Sequence, residues 1–401
     1  MMGSWLGGML LFLSLPVGAQ VDPVKRDLIQ LGYDQPLEGR SPLSAYAFYY
    51  HNQPGFLATN LTLRLAVAPV YLDSELGISG VLGPNTDLGI GVAGGGFADG
   101  YSEIRGGTYY PAESFEGHCA EVSASLYHLF NPGDQIPLNL VLRGSAHYSV
   151  FVADDTAPTF QVPDDRTTFN VRTGLRWGGI EPTLFPALAM ELSVWYEGQF
   201  RINSGAYGYL NSTPYDTEPQ SHLFWARAAL SYTPPKSGQN FSVNLTAGTS
   251  AEADRFSAYR IGGFLPQASE FPLSLPGYFY QEFSVRQFVL FDASYLLPLD
   301  PAKRWNLNVD AATAVVTYLP GLGQPGDSLT GVGGGILYRS KSDYWKLIVN
   351  YGYGVDAIRD GRRGASALGV LLQIDLDKLA DSRFHPLQPG LWRGWHALFG
   401  N

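Results

Sequence analysis

The sequence predicts an all-β fold, a transmembrane antiparallel β-barrel of about 16 strands. Three observations carry that prediction. Apolar and polar residues alternate with a period of two along nearly the whole chain, so segment after segment is a two-faced strand. No segment beyond the N-terminus offers the roughly 18 consecutive apolar residues that a membrane helix needs. The composition is sparse in charge, with 15% charged residues, 13% aromatics including 24 Tyr, and 47 Gly. A typical soluble protein carries roughly 25% charge, whereas strands that face lipid on one side do without it.

The chain opens with an apolar run from Met9 to Leu15, followed by the small residues Val17-Gly18-Ala19. Residues 1–19 read as a signal peptide, too short to anchor in a bilayer. Residues 20–41 read as a short N-terminal segment, a tail or a plug, in which Val24 to Leu31 has the length of about two helical turns. Residues 42–376 are assigned to the barrel. Residues 377–401 form an aromatic tail in which Trp392, Trp395 and Phe399 fit one face of a short helix, as an interfacial anchor would.

Within 42–376 the alternation runs strand by strand. Tyr46, Phe48 and Tyr50 share a face. Leu61, Leu63, Leu65 and Val67 oppose Thr62 and Arg64, and Leu88, Ile90 and Val92 oppose Gly89 and Gly91. Val122, Ala124 and Leu126 oppose Glu121, Ser123 and Ser125. Leu138, Leu140 and Leu142 oppose Asn139, Arg143 and His147. Val171, Leu175 and Trp177 oppose Asn170, Arg172 and Arg176, and Leu188, Leu192 and Val194 oppose Glu191, Ser193 and Glu197. The same parity separates Phe224, Ala226 and Leu230 from Arg227, and Val243 and Leu245 from Asn244. It continues with Leu307 and Val309 against Asn306, Asn308 and Asp310, with Trp345 to Val355, and with Leu368 to Leu376.

Charges at mid-strand on the second face suit a wet lumen, in which Arg64, Glu121, Arg143, Arg172, Arg176, Glu191, Glu197 and Arg227 satisfy one another. Tyr127, Phe151, Trp177, Phe200, Tyr232, Tyr295, Tyr318 and Tyr338 fall near strand ends, where an aromatic girdle belongs. Short links such as Asn131-Pro132-Gly133-Asp134 and Asp300-Pro301-Ala302-Lys303 alternate with long ones at 153–166, 201–220 and 262–276. Periplasmic turns and extracellular loops produce that alternation.

Two stretches resemble the bacterial surface antigen superfamily, which includes BamA- and TamA-like barrels and patatin-associated barrels. One is GVGGGILYRSKSDYWKLIVNYGYGVDAIRDG with the strand after it. The other runs from Tyr259-Arg260-Ile261-Gly262-Gly263 through Leu275-Pro276-Gly277-Tyr278 to FDASYLLPL. The resemblance covers about residues 257–376 and implies 16 strands with an inward-folded long loop built on Gly262, Gly263, Leu275, Pro276, Gly277 and Tyr278. In that family a loop Arg pairs with wall carboxylates. Here Pro276 stands at the Arg and Ser294 at one acidic position, while Asp310 stands at another, so the ionic lock is expected to be absent. Phe264, Leu265, Phe271 and Leu273 remain as apolar contacts for the loop. Periplasmic repeat modules are missing from the pattern.

The resemblance implies a non-enzymatic role at the outer membrane of a Gram-negative-type bacterium: insertion or translocation of protein or lipid, or a structural role. A porin-like diffusion channel is the alternative, and an outer-membrane lipid hydrolase a distant third. Outer-membrane lipid, the barrel assembly machinery and a separate periplasmic protein are the expected partners.

Other chemistry is thinly supported. A net charge of −10 gives no reason to expect nucleic acid. The single Cys119 leaves no disulfide framework and no thiolate zinc site, and His118 and Glu121 point to opposite faces, so no metal or other cofactor is expected. His147 and Ser149 share a face like a base and a nucleophile, but with no third group to orient them.

Overall fold

The computed structural model describes residues 24–381 apart from 180–183, 187, 235 and 267–269. The signal-peptide segment and Trp392, Trp395 and Phe399 lie outside the described residues. Among the described residues, sixteen strands form the wall. These are β1 (Arg26–Pro36), β2 (Ala45–Pro54), β3 (Leu61–Val67), β4 (Tyr71–Ser79) and β5 (Thr86–Gly95). Next come β6 (Glu116–Leu129), β7 (Leu138–Val152), β8 (Arg166–Gly179), β9 (Leu188–Ile202), β10 (Gln220–Tyr232) and β11 (Asn240–Ala251). The last five are β12 (Phe283–Pro298), β13 (Trp305–Tyr318), β14 (Ser328–Arg339), β15 (Trp345–Arg359) and β16 (Arg362–Asp375). A short extra segment, Tyr259–Ile261, pairs with the start of β12.

Each strand pairs antiparallel with the next, and β16 pairs antiparallel with β1 from Leu28↔Asp375 to Pro36↔Ala367. The sheet is therefore a closed barrel. Closure leaves no edge of unpaired N–H and C=O groups, which lipid could not satisfy.

That closure corrects the reading of residues 20–41, which hold β1 rather than a tail, a plug or a helix. Ile29, Leu31 and Tyr33 alternate with Gln30, Gly32 and Asp34, and the latter three turn inward. The apolar pair Leu28-Ile29 beside charged neighbours imitates a helix turn locally. What decides the strand is β16, whose N–H and C=O groups need a partner.

The outer face is apolar. Leu142, Val171, Leu192, Val194, Phe224, Leu245, Val289, Val349 and Val370 are all exposed, at mid-wall positions where a soluble protein would bury them. Three of the expected girdle aromatics face inward instead. Tyr127 donates to Glu75 inside the lumen, Phe151 is buried, and Tyr318 packs on an interior cluster. The girdle at the short-turn end is built by Trp177, Tyr232, Phe241, Tyr295, Trp305, Tyr338 and Trp345. Within it Tyr338 lies 4.8 Å from Trp305 and 5.0 Å from Trp345, ring to ring. Tyr46, Phe48 and Tyr50 also face inward, paired across from Gly32, Gln30 and Leu28.

The two ends differ. One carries the short links, such as 55–60, 80–85, 299–304 and 340–344, together with both ends of the wall. The other carries 96–115, 153–165, 203–219 and 252–282. Short turns mark the periplasmic side of such barrels and long loops the outer side.

Candidate functional site

The lumen is occupied by the chain itself. After β11 the link 252–282 turns into the barrel at Gly262 and Gly263, which adopt φ of 137° and 75°. Non-glycine residues rarely adopt such angles. The link then doubles back, with Gly262 N–H donating to Leu273 O (3.0 Å) and Leu275 N–H to Gly263 O (2.9 Å). Leu275, Tyr278 and Phe279 end at 0% exposure.

The wall has been cleared to receive it. A Cβ at Gly331 would stand 2.3 Å from Pro276 O, and one at Gly352 2.7 Å from Gly277 N. Gly369 lies against Phe264, and Ala312, Ala314, Ala357 and Ala365 share a cluster with Leu275 and Tyr278. The Tyr278 hydroxyl donates to Thr330 O (3.0 Å) and accepts from Asp356 N–H (3.2 Å). Gly331 and Gly352 thus make the β14–β15 wall thin enough for a second layer of backbone, while Gly333 and Gly335 make room for the wall side chains Asp310 and Asn350.

Further polar contacts hold the loop. Arg359 donates both of its terminal nitrogens to Glu282, each at 2.7 Å, and stacks 3.5 Å above the Phe279 ring. Asp34 of β1 accepts from Phe264 N–H at 2.8 Å. Glu270 sits among wall guanidiniums, 3.4 Å from Arg172 and 3.8 Å from Arg176, and its carbonyl accepts from Arg227 at 3.3 Å. The loop is nevertheless held by ion pairs, at positions other than Pro276 and Ser294. The loop supplies the anion and the wall supplies the cations, the reverse of the polarity that the resemblance implies. Sequence reasoning looked for the pair at the family's positions, and Glu270 carries no motif of its own. Beside it Phe271 packs against Trp195 and Trp225, with ring centroids 5.3 and 5.5 Å away.

Pro276 and Gly277 border a cavity of about 10 Å³ with Asp34, Asp310 and Asn350, room for one water. Ser294 and Asp310 are cross-strand partners on β12 and β13. Asp310 Oδ1 accepts from Asn308 at 3.1 Å, while Oδ2 has no hydrogen-bond partner among the described residues.

The remaining lumen charges pair locally. Arg143 donates to Glu121 (2.8 Å), Arg172 to Glu197 (2.7 Å), and Arg64 lies 3.8 Å from Asp73. Glu191 accepts from Ser193 (2.7 Å), and Arg227 donates to Asn244 (3.2 Å). His147 meets carboxylates at both ring nitrogens, Asp99 at 2.8 Å and Glu121 at 3.2 Å, rather than Ser149. That geometry does not poise a serine nucleophile.

Links at both ends also make contacts with the interior. At the outer end Tyr101, Phe115, Phe151, Phe160 and Tyr207 form one aromatic cluster, joined by Phe256. Beneath it the buried Glu103 accepts from Arg255 (3.1 Å) and lies 3.4 Å from Arg105. Burial and a hydrogen bond to Glu113 push the Tyr215 phenol up to about 12, so it stays a neutral donor. From between β5 and β6, the hairpin around Gly107 reaches Ile358 and Arg359 at the end of β15. At the periplasmic end Leu184, in the link after β8, meets strands β15 and β16. Leu184 N–H donates to Gln373 (2.9 Å), and Lys346 donates to Leu184 O (3.0 Å). Sequence reading missed this cap and this turn, because aromatics and charges in loops have no period to betray them.

A closed barrel with an apolar outer band, a polar interior and asymmetric ends defines an outer-membrane β-barrel, here with its lumen filled by its own segments. No family model matches the sequence, and no curated protein matches it. Among solved structures the chain is similar to CdiB from Acinetobacter baumannii, with a TM-score of 0.56 and 11% identity over 88% of this chain and 60% of that one. It is also similar to CdiB from Escherichia coli, with a TM-score of 0.55 and 10% identity over 86% and 63%. At that identity the likeness is one of fold, and this chain spans about three fifths of the length of either relative.

Proposed function

We propose that this chain is a gated, non-enzymatic barrel of the surface-antigen type, which inserts or translocates a polypeptide or lipid at the outer membrane once its own loop moves aside. The observation that supports this most is the loop 262–282 seated on a wall of glycines and alanines. A permanent filler needs only bulky wall side chains, whereas a cleared wall with polar anchors fits a part that can leave and return. The likeness of fold to two CdiB barrels is in keeping with it. A separate periplasmic protein delivers the client, and the barrel assembly machinery inserts the chain.

The experiment is conductance in planar lipid bilayers. The wild-type barrel should show rare, brief openings. Glu270→Arg, which places a cation against Arg172 and Arg176, should raise the open fraction by about fivefold, because a half-exposed pair contributes about 1 kcal/mol. A steady large conductance in the unaltered protein would assign a diffusion pore instead and sink the gated reading.

A further inference from the structure

Three side chains able to ligate metal converge where the outer cap meets the wall. Asp99 comes from the link 96–115, Cys119 from β6 and His147 from β7, the last two pointing into the lumen. Their ligand atoms, a carboxylate oxygen, a sulfur and an imidazole nitrogen, all lie within 4.8 Å of one another. Around a tetrahedral zinc ion with bonds of about 2.0–2.3 Å, such atoms stand about 3.3–3.8 Å apart, so closing on an ion needs only small side-chain rotations.

The surroundings suit an ion at that point. His147 Nδ1 lies 3.2 Å from Glu121 Oε2, and Glu121 is itself held by Arg143 at 2.8 Å. A ligating imidazole gives its second N–H to a carboxylate in this way, which leaves Nε2 free to bind metal. Nε2 points at Asp99, 2.8 Å away. Asp99 is fixed by its backbone, whose N–H donates to Gly117 O (3.1 Å); a Cβ at Gly117 would come within 2.3 Å of Asp99 O.

We propose that Asp99, Cys119 and His147 bind one divalent cation of the zinc class, with solvent in the fourth position and Glu121 positioning the imidazole. Thiolate and imidazole together select zinc over magnesium or calcium. On binding, the Cys119 thiol and the His147 Nε2–H each give a proton to solvent, Nδ1–H stays on Glu121, and thiolate and carboxylate together neutralise the ion. The bound ion ties the link 96–115 to β6 and β7, so it staples the outer cap to the wall. The single cysteine argued against a thiolate zinc site because the other ligands lie on different elements and share no local spacing with it.

The test uses the whole folded barrel in detergent, titrated with cobalt(II) chloride and then displaced with zinc(II) chloride. One equivalent of cobalt should bind with a near-ultraviolet thiolate charge-transfer band. Cys119→Ser should abolish the band, and Asp99→Asn and His147→Gln should each weaken binding at least about tenfold. Glu121→Gln should keep the band while weakening binding by about 10–100-fold, as loss of an orienting group does. Retained heat-modifiable migration on gels shows that each variant is still a barrel. Absence of the band in wild type, or a band unchanged by Asp99→Asn and His147→Gln, overturns the proposal and leaves His147 as a bridge between two carboxylates.

Discussion

Gly352 shows how much one missing side chain decides. A Cβ there would stand 2.7 Å from Gly277 N, closer than real Cβ atoms come, and 3.1 Å from Pro276. Gly352→Leu should therefore push the 276–277 turn off the wall, at a cost of about 1–3 kcal/mol for overpacking. Limited proteolysis checks this: new cleavage within 262–282 in the variant, with an intact wild-type loop, is the expected result. Gly277 is constrained twice over, by its φ of 83° and by Gly354 N. The glycine run itself is visible in the sequence. What Gly331 makes room for is not, since it meets Pro276 only after the chain has turned back into the barrel.

Among elements, the link between β11 and β12 depends on its anchor at Glu282. The Glu282 and Arg359 side chains are 1% and 3% exposed and joined by two hydrogen bonds. Removing one partner strands the other charge in a dry site, so Arg359→Ala should lose about 3–5 kcal/mol of stability, read as an earlier thermal unfolding transition in detergent. A paired Arg359→Met and Glu282→Leu replacement should recover most of that loss, because the desolvation penalty disappears with both charges. Neither residue stood out in the sequence, where Glu282 looks like a loop carboxylate and Arg359 like part of a charged turn. The same holds for Glu270, whose partners sit on β8 and β10. The lumen arginines themselves were readable from parity, because alternation assigns a face before any partner is known.

At the scale of the whole molecule, the outer band makes the barrel a membrane protein. Val194 lies near the middle of β9 and is 52% exposed, whereas Phe200 lies close to the outer rim. Val194→Arg should destabilise the barrel in lipid vesicles by about 2–4 kcal/mol and Phe200→Arg by about 0–1 kcal/mol, since the cost of a charge falls toward the interface. Equal losses from the two variants, measured by reversible unfolding from bilayers, would mean that these faces do not meet hydrocarbon.

Alternation alone determined that this chain builds a wall with one greasy and one polar side, because a strand sends neighbouring residues to opposite faces whatever surrounds it. It also assigned the wall charges from Arg64 to Arg227 to the polar side. The tertiary structure decided the rest: that residues 26–36 close the cylinder, that the loop's carboxylate meets the wall's guanidiniums, and that Asp99, Cys119 and His147 share one point. Those are contacts between positions far apart in the chain. No local pattern encodes them, because they exist only once closure has brought distant strands around a common axis.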